Sequence, residues 1–258
     1  MILAVDIGNT NIVLGCIKDG VISNIMRIET VRKKTEFEYA VLIGQLLLIT
    51  GVNMSKFDGA VISSVVPPLT APVRSAVRMV TGCQALVVGA GLKTGLNIGI
   101  DDPSQMGTDL VAGAVAALSI HEPPIIIVDM GTATTISVIG PNSRLMGGAI
   151  MPGPNISVDA LAGSTAQLPR IPIEPPKKCI GSNTIECMKS GAVFGTAAAV
   201  DGMIDRMEAE LGIPATVVAT GSLAKKILPH CRHTIEIDED LVLRGLWVIW
   251  EKNRGSGK

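Results

Sequence analysis

The chain has 258 residues and a net charge of −1, from 22 basic against 23 acidic side chains. That length can bury substantial cores in one large or two small domains, and the charge offers no global attraction to nucleic acid or an anionic membrane, so an anionic ligand must be bound locally. Three Phe, one Tyr and two Trp leave little material for base-stacking platforms, which sets nucleic-acid binding aside.

The five cysteines are odd in number and form no C-x-x-C pair, which argues against a disulfide framework or a zinc site and suits a reduced cytoplasm. Met1 leads directly into strand-like sequence, and no apolar run approaches the ~20 residues that span a bilayer. A soluble, cytosolic protein with no membrane partner is the expectation.

In chain order, Leu3-Ala4-Val5 reads as a buried strand that ends on Asp6-Ile7-Gly8-Asn9-Thr10-Asn11. Ile12 to Ile17 and Val21 to Ile28 read as two more strands, with Lys18-Asp19-Gly20 as the turn between them. Thr35 can cap a helix over Phe37 to Ile49; a strand at Gly59 to Ser64, a helix at Leu69 to Val80 and a strand at Ala85 to Val88 follow. Residues 89 to 106 read as a loop, and Thr108 to Ile120 as a helix ended by Pro123-Pro124. Ile125 to Val128, Ile136 to Ile139 and Arg144 to Ile150 make a second set of three strands. A short helix is expected over Pro152 to Ala162, an irregular, exposed stretch over the proline-rich Leu168 to Ser182, and a long helical region over Thr184 to Leu211. A strand at Thr216 to Ala219, a helix after Gly221, a strand near Thr234 to Glu236 and a closing helix from Asp240 to about Lys252 complete the chain.

The opening recurs. Asp129-Met130-Gly131-Thr132-Ala133-Thr134 follows an apolar run as Asp6-Ile7-Gly8-Asn9-Thr10 does, at an offset of 129 − 6 = 123 residues. A carboxylate at a strand end, followed by glycine and small polar residues, suits metal-bound phosphate. Asp6 would hold Mg²⁺, and Gly8, Asn9, Thr10 and Asn11 would donate hydrogen bonds to the terminal phosphates. Asp129 is the second such carboxylate, with Gly131, Thr132 and Thr134 as the second phosphate turn. Gly221, after a strand, suits adenine or ribose contact. Two matched halves, 1–117 and 118–258, are expected.

Two βββαβα halves of this kind resemble the actin, hexokinase and acetate kinase superfamily, which implies an α/β, ribonuclease H-like, actin-like ATPase fold with nucleotide in the cleft between duplicated domains. The ordered series Asp6-Ile7-Gly8-Asn9-Thr10, Gly107-Thr108-Asp109, Asp129-Met130-Gly131-Thr132, Gly147-Gly148-Ala149-Ile150-Met151-Pro152-Gly153, Thr165-Ala166-Gln167-Leu168-Pro169, Asn183-Thr184 and Thr220-Gly221 resembles type III pantothenate kinases over nearly the whole chain. The resemblance implies ATP-dependent phosphorylation of pantothenate, the first step of coenzyme A synthesis, with ATP, Mg²⁺ and a monovalent cation, K⁺ or NH₄⁺, bound near Asp129. It makes Asp109 the general base, Gly107, Thr108, Ile100, Leu110 and Thr184 the acceptor-side residues, and the protein a homodimer to which Thr184 reaches from the partner subunit.

Two positions depart from the family pattern. Leu110 stands where an arginine that meets the pantothenate carboxylate is usual, and Ile100 where a tyrosine is common. Two alternatives therefore stay open: a kinase for a less anionic acceptor, and a nucleotide-binding accessory protein without catalysis.

Overall fold

The structure is a computed structural model that describes residues 1–254. It contains two compact units: Met1–Leu96 with Asp101–Ser119 and the chain from Asp240 on, and Asn97–Ile100 with Ile120–Glu239.

The first unit opens on β1 (Ile2–Ile7), β2 (Asn11–Lys18) and β3 (Val21–Glu29). Asp19 and Gly20, at φ 51° and 80°, make the turn between β2 and β3 in the left-handed conformation that such short hairpins demand. Helix α1 (Glu36–Ile49) starts on a capping box, in which Thr35 accepts from the Glu38 N–H and Glu38 returns a bond to the Thr35 N–H. Strand β4 (Gly59–Ser64), helix α2 (Pro67–Thr81) and strand β5 (Ala85–Val87) follow. Helix α2 begins two residues before the apolar pattern because Pro67 and Pro68 fit its first positions.

The sheet order is β3-β2-β1-β4-β5, with β4 parallel to β1 and β5 parallel to β4. Alternation along β1 sends Leu3, Val5 and Ile7 into a core with Ile43 and Leu47 of α1 and Val73 and Val77 of α2. Ile2 and Ala4 point the other way, into a second cluster.

The segment read as a loop holds two short elements. Strand β6 (Asn97–Ile98) pairs with a strand of the second unit, and a 3₁₀ turn spans Pro103–Gln105. Two residues are too few to show a periodicity, so β6 was not legible. Helix α3 (Thr108–Ile120) then returns to the first unit through Ser119.

The second unit repeats the opening in β7 (Ile125–Met130), β8 (Ala133–Ile139) and β9 (Arg144–Pro152). Helices α4 (Pro154–Ser164), α5 (Thr184–Ser190) and α6 (Thr196–Leu211) follow, with a π-helical turn at Gly191–Gly195 dividing the region expected as one long helix. The proline-rich stretch is irregular as expected, but its Ile173 is buried in the core with Val193 and Val200, so it is not exposed throughout. Strand β10 (Thr216–Thr220), helix α7 (Ala224–Ile227) and strand β11 (Glu236–Ile237) complete the unit. Its sheet order, β11-β10-β7-β8-β9-β6, repeats that of the first unit and adds β6 at one edge.

The closing helix α8 (Leu241–Asn253) corrects the expected division at 117/118. Leu243, Leu246 and Ile249 pack with Ile2, Ala4 and Val61 and with Ala112 and Val115 of α3, so α8 belongs to the first unit. Residues 255–258 of the expected second half lie outside the described residues.

Candidate active site

In the first unit the site grows from the end of β1. Asp6 continues the row of Ile2 and Ala4, the face that packs on α3 and α8. The turn after it is tied by its own backbone and by the end of β3. The Gly8 N–H donates to the Asn11 carbonyl at 3.0 Å, Thr30 Oγ1 donates to the Gly8 carbonyl at 2.7 Å, and the Thr30 N–H donates to the Thr10 carbonyl at 2.9 Å. Asn9 and Thr10 are exposed at the tip, and Arg32 Nη2 reaches Asn9 Oδ1 at 3.4 Å. Polar donors are therefore held on a fixed loop directly after a carboxylate.

Asp109 comes to the same end of the sheet. Asp6 pairs with Ser63 in the parallel register of β1 and β4, and Ser63 Oγ lies 3.0 Å from Thr108 Oγ1 at the start of α3. The Asp109 carboxylate accepts from the Leu110 N–H at 2.7 Å. Burial raises its pKa above the ordinary value, and the backbone N–H groups of Leu110 and of Asp109 itself pull it part of the way back. A half-buried carboxylate with a raised pKa has the character of a proton acceptor in a site. Gly107 makes room for it, since a Cβ there would stand 2.4 Å from Asp109 Oδ1. Thr30, Ser63 and Ser64 were missed from sequence; the available signal was two serines ending the otherwise apolar run of β4.

In the second unit Asp129, Gly131, Thr132 and Gly221 gather at the adjacent ends of β7 and β10, where Asp129 pairs with Thr220. Gly221 adopts φ +98°, and a Cβ on it would lie 2.5 Å from the Met130 carbonyl carbon, so both conformation and space require glycine. This turn is one residue shorter than the first: the Gly131 N–H bonds to the Ala133 carbonyl at 3.0 Å, whereas Gly8 bonds three residues on. The strict offset of 123 therefore holds for β1 with β7 and for β3 with β9, while β8 starts 133 − 11 = 122 residues after β2.

Thr134 lies within β8. It alternates with Thr135, which pairs with Asp129, and so lies on the opposite face of β8, fully buried, with no hydrogen-bond partner for Oγ1.

The acceptor-side residues are spread. Gly107, Thr108 and Leu110 stand with Asp109 in the first unit, and Leu110 is half-buried. Ile100 belongs to the second unit, 4.0 Å from where a Cβ of Gly147 would lie. Thr184 is exposed at the first position of α5, whose cap is Asn183, accepting from the Glu186 N–H at 3.0 Å. Arg170, a possible substitute for the missing arginine, is 80 % exposed and paired with Asp159 at 3.1 Å.

Asp6 and Asp129 supply hard carboxylate oxygens, the donor chemistry that suits Mg²⁺ shared with phosphate and water.

This duplicated fold is that of the actin-like ATPases. Solved structures agree: a ROK hexokinase from Thermus thermophilus superimposes with a TM-score of 0.52 at 12 % identity over 99 % of each chain, and a Baf family transcriptional activator from Campylobacter jejuni with a TM-score of 0.62 at 19 % identity over 98 % of this chain and 99 % of that one. The chain belongs to the type III pantothenate kinase family, whose sequence profile matches residues 2–206. A type III pantothenate kinase from an Exiguobacterium species is 43 % identical over 98 % of this chain and 100 % of its own. One from Myxococcus xanthus is 39 % identical over 99 % of this chain and 100 % of its own.

Proposed function

We propose that this protein transfers the γ-phosphoryl group of ATP to the 4′-hydroxyl of pantothenate, giving ADP and 4′-phosphopantothenate and opening coenzyme A synthesis. The observation that carries the reading is Asp109, a half-buried carboxylate with a raised pKa held beside the strand end that carries Asp6. As the hydroxyl oxygen attacks the γ-phosphorus, Asp109 takes its proton and the bond to the leaving ADP oxygen breaks. In the first unit Asn9, Thr10 and Asn11, and in the second Thr132, offer donors to phosphate oxygens, while Gly8 and Gly131 use their N–H groups to close their own turns and let the backbone come close, and Gly221 leaves space for the nucleoside. Asp6 in the first unit and Asp129 in the second are each a carboxylate that would ligate Mg²⁺, which when bound would supply charge neutralisation at the phosphate oxygens. A monovalent cation, K⁺ or NH₄⁺, belongs to the second turn beside Asp129, as the family resemblance implies.

A coupled ADP-release assay with pantothenate, Mg²⁺ and K⁺ tests the assignment. Turnover in the wild type and its loss in Asp109→Ala are expected; full turnover in Asp109→Ala removes the assignment.

One observation favours a second reading of the acceptor. Leu110 is half-buried where a guanidinium is usual in the family. A less anionic acceptor follows, tested by comparing pantothenate with its neutral amide and by Leu110→Arg, which should shift preference back toward the acid.

The active form is a homodimer. Ile180 and Ile185 flank Thr184 and are 88 % and 47 % exposed, and Ile150 is 78 % exposed, apolar surface of the kind that subunits cover. Light scattering coupled to gel filtration should give twice the chain mass. No helix among the described residues is long and apolar enough to cross a membrane, and all five cysteines are free, which suits the cytoplasm.

A further inference from the structure

The hydroxyl of Thr108 is used away from its own helix. A threonine at a helix start ordinarily turns its oxygen to the N–H groups of its own first turn. Here Thr108 Oγ1 accepts from the Ser64 N–H at 2.8 Å, donates to the Ser64 carbonyl at 3.1 Å and lies 3.0 Å from Ser63 Oγ. A hydroxyl has one proton to give and two lone pairs. With the proton given to Ser64 and one lone pair taken by the Ser64 N–H, the second lone pair faces Ser63 as donor. Nothing is left for a substrate.

The other side of this junction is equally fixed. Ser63 is fully buried and stands beside Asp6 in the parallel register. Ser64 Oγ accepts from Thr70 Oγ1 at 2.8 Å and from the Val66 N–H at 3.3 Å, and the Val65 N–H donates to the Ile7 carbonyl at 3.0 Å. The end of β1, the end of β4 and the starts of α2 and α3 are joined in one network, and Asp109 is the next residue after its α3 member.

We propose that Thr108, acting through Ser63 and Ser64, is a positioning residue that fixes the Asp109 carboxylate relative to Asp6, and that it makes no contact with the acceptor. The inference rests on the reading of Asp109 as the base. Displacing a reacting group by ~1 Å costs on the order of 100-fold in rate, whereas lost substrate contacts raise KM.

The test compares steady-state kinetics of Thr108→Val, Thr108→Ser, Ser63→Ala and Asp109→Asn with ATP and pantothenate. Valine keeps the shape and removes the hydroxyl. Thr108→Val should lower kcat about tenfold or more with both KM values within about twofold, and serine should recover the rate to within about threefold. A kcat unchanged in Thr108→Val, or a raised pantothenate KM at unchanged kcat, overturns the proposal. Should Thr108→Val not fold, Ser63→Ala decides: a fall in kcat at constant KM supports it, and a wild-type kcat overturns it. Wild-type turnover in Asp109→Asn would instead defeat the reading of the base, so the two failures are told apart.

Discussion

A Cβ on Gly107 would stand 2.4 Å from Oδ1 of Asp109 and 3.4 Å from Cγ1 of Val65. The closer atom is the end of a side chain that can swing, so relief costs little stability but moves the carboxylate. Gly107→Ala should therefore lower kcat by roughly 100-fold while leaving the unfolding midpoint close to that of the wild type. Kinetics and a denaturant melt on the same sample check it; a lost melt with an unchanged rate per folded molecule counts against the geometry.

Asp109 also sets a pH dependence. Burial is the larger influence and raises its folded pKa, with backbone donors opposing. The acid limb of kcat should then lie higher in pH than an ordinary aspartate would place it, since the base must be ionised to accept a proton. For stability the sign is the reverse of a salt-bridged aspartate. The contribution of Asp109 is fully present below its unfolded pKa and is lost as pH rises through the raised folded pKa. Asp109→Asn should thus be inactive yet gain stability over the wild type on going from acid to neutral pH. Parallel melts across that range that show no such divergence would contradict it.

What could be read from sequence was local. A carboxylate that ends an apolar strand and precedes glycine leaves its mark within a few residues, so Asp6 and Asp129 and their turns were legible, as was α3 from its first residue to its last. The role of Ser63 was hidden because it depends on β4 lying beside β1, a pairing that no short window contains. Thr134 looked equivalent to the polar residues of the first turn until the shorter second hairpin turned it to the opposite face. The closing helix itself was legible, but not the sheet that α8 would cover.

Gly221 makes a contrasting case. Its φ of +98° disfavours any side chain, and the atoms that a Cβ would meet at 2.5 to 2.6 Å are backbone atoms of Met130, next to Asp129. Backbone cannot swing aside as the Asp109 side chain can. Gly221→Ala should cost about 2 kcal/mol or more of stability and raise the KM for ATP, in a melt and in initial-rate kinetics respectively. A variant as stable as the wild type would mean that the turn has another conformation open to it.

Leu246 gives the last test, of where α8 belongs. It is fully buried and packs in the cluster that joins Ile2, Ala4 and Val61 to Ala112 and Val115 of α3. Removing it leaves a cavity on the face of the first sheet that carries Asp6, at a cost of about 2–5 kcal/mol for Leu246→Ala. Because the compact units are distinct, the loss should be local. Hydrogen exchange should quicken for amides of β1, β4 and α3, and the amides of β7, β8 and α6 should keep their protection. Equal loss in both sets, or loss confined to the second, would show that α8 supports the second sheet, in line with the expected division at 117/118.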